Sequence, residues 1–128
     1  MPDTNLLVRY FLKEPQDQSA VACTIIDGPD TLWLSVITIA ETAHVLSRLY
    51  AIPRAEVVDG LSDFLRRDDV EICELPRQRV LDALALCRPS GRVSFGDALI
   101  WARAAEDGAE VLTFDSRFPA KAIKRRLL

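Results

Sequence analysis

At 128 residues, 49% of them hydrophobic, the chain carries enough apolar material for the core of one domain (1–128) and too much for a disordered segment. Its formal net charge of −3 excludes a generally basic nucleic-acid coat, but not a local basic rim, because steering depends on where charge sits. Cys23, Cys73 and Cys87 are odd in number and form no close pair, which argues against a disulfide frame or a zinc site and for reduced core thiols.

The chain opens on Asp3-Thr4-Asn5, small polar residues suited to a helix start, followed by an apolar run over 6–12 interrupted only by Arg9. The run is short and has neither a basic leader nor a cleavage pattern. Nothing approaches the roughly 20 apolar residues that span a bilayer, so a soluble, cytoplasmic protein without a membrane partner is expected. After a break at Lys13-Glu14-Pro15, residues 16–26 read as a second helix, and Asp27-Gly28-Pro29-Asp30 as a turn. Residues 31–37 are rich in β-branched and aromatic types, Trp33 among them, and predict a short buried strand.

Thr38 is the expected start of a helix running to about Tyr50, and Pro53 of another ending near Arg67. Residues 70–74 alternate as a strand does, and Pro76 suits the start of a helix over 77–87. After the loop 88–92, Ser94 caps a helix to about Asp107, nearly apolar all round and therefore expected to be buried on more than one side; Gly108 ends it. A last strand is predicted over 110–114, whereas the alternating basic and apolar tail from Lys121 has no clear assignment. Helices alternating with short apolar strands imply an α/β fold, a parallel sheet covered on both faces.

Asp3, Glu41, Asp97 and Asp115 each lie where a helix begins or where a strand gives way to the next element. Each alone is explained as a cap: Thr38-Ile39-Ala40-Glu41 and Ser94-Phe95-Gly96-Asp97 both have capping-box spacing, and acids at helix N-termini gain about 0.3–1 kcal/mol from the macrodipole. Together they suggest something else. In an open parallel sheet, ligands bind beyond the carboxyl ends of the strands, where the helices start. Four carboxylates gathered there repel one another unless a cation joins them, and an all-oxygen donor set favours Mg²⁺ or Mn²⁺.

The segments Asp3-Thr4-Asn5-Leu6-Leu7-Val8, Thr38-Ile39-Ala40-Glu41, Phe95-Gly96-Asp97-Ala98-Leu99-Ile100 and Thr113-Phe114-Asp115-Ser116-Arg117-Phe118 resemble, in order and spacing, the four signature segments of PIN-domain ribonucleases. Among these, VapC-type toxins of bacterial toxin–antitoxin pairs are the most similar. The resemblance implies a three-layer α/β/α fold with a short central parallel sheet. It also implies Mg²⁺- or Mn²⁺-dependent hydrolysis of RNA as an endoribonuclease, a homodimer, and an antitoxin partner. Asp3, Glu41, Asp97 and Asp115 match the acidic quartet, Asn5 a polar position supporting it, and Thr113 a hydroxyl residue beside it. The front of the chain departs from the family, whose first strand is here reduced to Met1-Pro2 or missing.

A metal held by Asp3, Asp97 and their neighbours would polarise a phosphate oxygen and acidify a bound water, with Glu41 as ligand or orienting group. His44 and Arg48 follow Glu41 at helical spacing and read as a surface or supporting stripe more than as a general base. For RNA phosphates, Arg92 and Arg117 stand nearest in sequence to the proposed ligands, while Lys13, Lys121 and Lys124 read as solvated surface charge. Trp33 and Trp101 read as core. Two competing functions are a non-catalytic α/β binding module whose acids are all caps, and an Asp-based phosphotransfer domain using Asp3. The second wants a further acid close to Asp3 and a lysine after a late strand, which Asn5 and residues 114–118 do not supply.

Overall fold

The computed structural model describes residues 1–128 and has the mixed α/β architecture expected of a PIN-like chain, with helices packed about short parallel strands. In chain order the elements are α1 (Thr4–Leu12), α2 (Gln16–Ile26), β1 (Leu32–Leu34), α3 (Val36–Arg48), α4 (Arg54–Leu65), β2 (Val70–Ile72), α5 (Arg77–Cys87), α6 (Phe95–Asp107), β3 (Glu110–Thr113) and β4 (Lys124–Leu127). Met1 to Asp3 form no strand.

The pairing is parallel, but the sheet is in two pieces. Strand β1 pairs with β2, Leu32 opposite Val70 and Leu34 opposite Ile72; β3 pairs with β4, Glu110 opposite Lys124 and Thr113 opposite Leu127. The unassigned basic tail is therefore an edge strand. Alternation puts Leu32, Leu34, Val70 and Val111 into the core, while the opposite face is poorly covered: Trp33 is 52% exposed and Leu112 56%. The expectation that Trp33 belongs to the core is corrected on this point. Trp101 is buried, and its indole N–H donates to the Lys121 carbonyl at 2.8 Å.

One apolar cluster joins Leu7 and Val8 of α1, Ile39 and Leu46 of α3, Leu61 and Leu65 of α4, Val80 and Leu84 of α5, and Ala98 and Trp101 of α6. Helix α6 buries one side only; Ile100 is half-exposed, so its apolar surround reflects a groove rather than burial all round. Of the thiols, Cys87 is buried, Cys23 intermediate and Cys73 exposed, so Cys73 is not a core thiol. No helix is long and apolar enough to cross a membrane.

Arg67 fastens the ends of α2 and α4 to the β1–β2 pair. Its guanidinium donates to both Asp69 carboxylate oxygens (2.9 and 2.6 Å), to Asp27 Oδ1 at 3.0 Å and to the Ile26 carbonyl at 2.9 Å. The Asp69 carbonyl in turn accepts the Leu32 N–H that begins β1. Arg67→Ala leaves several of these acceptors unpaired, and a loss of about 2–3 kcal/mol in urea unfolding at neutral pH is expected. Arg67 also holds the Asp69 carboxyl below its ordinary value of 3.8, so this stabilisation is present above that value and is lost as pH falls through the depressed one. The gap between wild type and Arg67→Ala should accordingly narrow on acidification.

Candidate active site

The four acids turn out to have unequal local duties. Asp3 has extended backbone (φ −88°, ψ 176°) and caps α1, accepting the Leu6 N–H at 3.0 Å. Asp115 shapes the turn after β3: its Oδ1 accepts the Arg117 backbone N–H at 2.8 Å, and the Arg117 side chain lies 3.4 Å away. Glu41 and Asp97 cap nothing. Helix α3 begins at Val36, not at Thr38, with Ser35 as its cap, so the capping-box reading of Thr38 and Glu41 is corrected. Ser94 does cap α6 by accepting the Asp97 backbone N–H at 3.0 Å, but the Asp97 carboxylate returns no bond and has no hydrogen-bond partner in the protein.

The acid at the start of α3 is instead Glu74, just beyond β2. Its carboxylate accepts the Ser35 hydroxyl at 2.9 Å and the Val36 N–H at 3.1 Å, supplying the negative charge that the start of α3 favours. Glu74 was not expected to matter. Its only sequence signal is an acid closing an alternating strand, which does not reveal a partner 39 residues earlier.

Sequence neighbours of Asp3 and Asp97 meet Glu41, although neither acid lines the cavities that Glu41 lines. The Thr4 hydroxyl donates to Glu41 Oε2 at 2.7 Å, which joins the residue after Asp3 to the body of α3. Glu41 and His44 line a cavity of about 560 Å³ opposite Ser94, Phe95 and Gly96, the residues leading into Asp97. On its other flank Glu41 lines an apolar groove of about 440 Å³ with Ile37, Gly96 and Ile100. A further cavity, about 430 Å³, opens beside Asp3 and Asn5 and is walled by Arg9 and by Gln18 of α2. Asp115 is tied to α6 less directly, through the loop that ends at the Trp101–Lys121 bond. The Thr113 hydroxyl accepts the Asp115 N–H at 2.9 Å.

No three His, Cys, Asp or Glu side chains stand close enough to hold a metal ion as they are arranged here. The chemistry of the donor set nevertheless suits one: carboxylate oxygens, exposed or half-buried, with Glu41 and Asp97 free of capping duty. The side chain of Arg92 is exposed and makes no hydrogen bond within the protein, whereas Arg117 is engaged by Asp115.

A family model described as the PIN domain matches residues 1–124, nearly the whole chain. The chain belongs to the PIN-domain family. Comparison with curated proteins and with solved structures returns no match. PIN domains are typically nucleases that depend on divalent metal ions and bind RNA, and at that level the chain is a nuclease.

In this PIN domain the Asp115 carboxyl is held below its ordinary value of 3.8, chiefly by the Arg117 backbone N–H and secondarily by the Arg117 side chain and Arg125. The stabilisation is therefore complete above that value and is lost as pH falls through the depressed one. An NMR titration of the Asp115 carboxyl should find it depressed, and Arg117→Ala should leave most of the depression in place because the backbone donor remains. An ordinary value in the wild type would contradict this turn geometry.

Proposed function

We propose that the chain is an Mg²⁺- or Mn²⁺-dependent endoribonuclease, the toxin of a toxin–antitoxin pair, hydrolysing RNA phosphodiesters with Asp3, Glu41, Asp97 and Asp115. The supporting observation is a pair of carboxylates that cap no helix and shape no turn. Glu41 lines a cavity whose opposite wall, Ser94 to Gly96, leads directly into Asp97, and Thr4 ties Glu41 to the start of α1. Caps have a reason to be acidic wherever they lie. These two do not.

Asp3, Asp97 and Asp115 would hold the cation, which when bound polarises a phosphate oxygen and makes a water acidic enough to attack near neutral pH. Because no three donors meet here, binding has to draw the carboxylates together. The Thr4 hydroxyl holds Oε2 of Glu41 and leaves Oε1 as the acceptor for the attacking water's proton. Thr113 fixes where the chain turns into Asp115, and Asn5 lines the cavity beside Asp3 as a polar support. Arg92, with no protein partner, is the better of the two arginines for a backbone phosphate, while Arg117 must first leave Asp115. A homodimer restrained by an antitoxin in the cytoplasm completes the proposal.

A non-catalytic binding module is favoured at two positions, since Asp3 and Asp115 do act as caps. Metal titration separates the two. With Mn²⁺ at about 100 times its dissociation constant, a site that binds only the folded chain adds about 2.7 kcal/mol to unfolding stability. A module of caps gains nothing. Asp97→Asn should lower RNA cleavage by about 100-fold or more while the metal-free fold stays intact or becomes slightly more stable, because Ser94 is bonded to the Asp97 backbone and not to its side chain. Chelation should stop cleavage and added Mn²⁺ restore it; activity that persists in chelator argues for a different chemistry.

A further inference from the structure

We infer that Arg54 is the positioning residue for Asp97. The inference rests on the proposed metal site and adds to it a residue from a helix that carries none of the acids. Residues 88–94, which connect α5 to α6, include Pro89, Ser90 and Gly91, and their only internal bond is from the Arg92 N–H to the Ser90 hydroxyl at 3.3 Å. Beyond a weak bond from the Cys87 thiol to the Ser94 carbonyl at 3.6 Å, such a loop has little of its own to fix where α6 begins. Arg54, the first residue of α4, closes it: the same Nη1 donates to the Cys87 carbonyl at 3.2 Å, where the loop departs, and to the Val93 carbonyl at 3.0 Å, where it ends.

The guanidinium also lies over the Phe95 ring, 4.5 Å from its centroid, and Phe95 is the first residue of α6. One planar cation thus holds both ends of the loop and the ring beyond it. An ammonium on a flexible stem offers no flat face to stack and a less fixed donor geometry. Ser94 stands between the two gripped residues, so its hydroxyl, and with it the Asp97 N–H it accepts, is located by Arg54. Asp59 of α4 pairs with Arg88 at 2.9 Å on the outside of the same loop, but that exposed bridge reaches only the departing end.

Two measurements on the full chain test this. In the metal-free protein, Arg54→Met should raise amide exchange at Asp97 and Ala98 by about tenfold or more while Leu6 and Leu7 of α1 and Ile39 of α3 stay protected. In the same variant Mn²⁺ affinity should fall by about tenfold, and kcat should fall more than KM changes. Arg54→Lys, which keeps the charge and the fold, should show both effects in weaker form and so fail to restore wild-type behaviour. Uniform loss of protection across α1, α3 and α6, or full rescue by lysine, would overturn the assignment, since either points to general stability or charge alone. So would an α6 start that loosens without any change in Mn²⁺ affinity. If the wild type itself binds no Mn²⁺, the metal-site proposal fails, and the exchange pattern then shows independently whether Arg54 holds this loop.

Discussion

The hydrogen bond from Thr4 to Glu41 is the contact on which the candidate site depends. Two carboxylates brought to ~6 Å near a protein surface repel by roughly 3 kcal/mol at an effective dielectric of 20. The chain does not set Asp3 directly against Glu41. It places a neutral hydroxyl donor between their elements, and that donor both satisfies one Glu41 oxygen and fixes how α1 enters beside α3. A serine would keep the donor. Valine would keep the shape and leave α1 and α3 with apolar packing alone.

Helix starts soften the repulsion further. Asp3 at α1, Glu74 at α3 and Asp97 in the first turn of α6 each sit at the positive end of a helix, and each gains about 0.3–1 kcal/mol there. Glu74 takes this role for α3, and Glu41 lies a turn further along, exposed, with the Thr4 hydroxyl as its one protein partner. Acids that repay their cost locally are uninformative about function. An acid whose local role has been handed to another residue is informative, and that distinction requires the coordinates.

Much of the fold was legible because its punctuation is local. Helices over 16–26 and 77–87 begin just after Pro15 and Pro76, and α6 lies between the Ser94 cap and Gly108 in left-handed conformation. The errors fall where a distant partner overrides local preference. The strand predicted over 31–37 stops at Leu34 because Glu74 satisfies the Val36 N–H and lets α3 start early. Residues 124–127 escaped assignment because a basic edge strand has the same polar pattern as a loop until β3 lies beside it. Trp33 looked buried because its neighbours Leu32 and Leu34 are; alternation sends it to the face that lacks cover. In the site, all four acids were legible as candidates, but which of them act as caps was not, since capping-box spacing is identical whether or not the side chain returns the bond.

The cations have been spent in a way that constrains how RNA can approach. Arg125 donates to the Ser116 and Phe118 carbonyls just past Asp115, Arg54 holds the loop before Asp97, and Arg103 donates to the carbonyl of Glu74. Arg9, beside the Asp3 cavity, is taken up by Gln18, the Glu14 carbonyl and Tyr50. These guanidiniums anchor backbone, each offering several donors in a rigid plane to carbonyls that would otherwise have only water. Their charge remains, but donors already engaged within the protein are not free to grip a phosphate, in a chain whose net charge is negative. A divalent cation among the acids would reverse the local field at the point where the phosphate must sit, so that the group expected to activate water would also draw RNA to the site alongside Arg92.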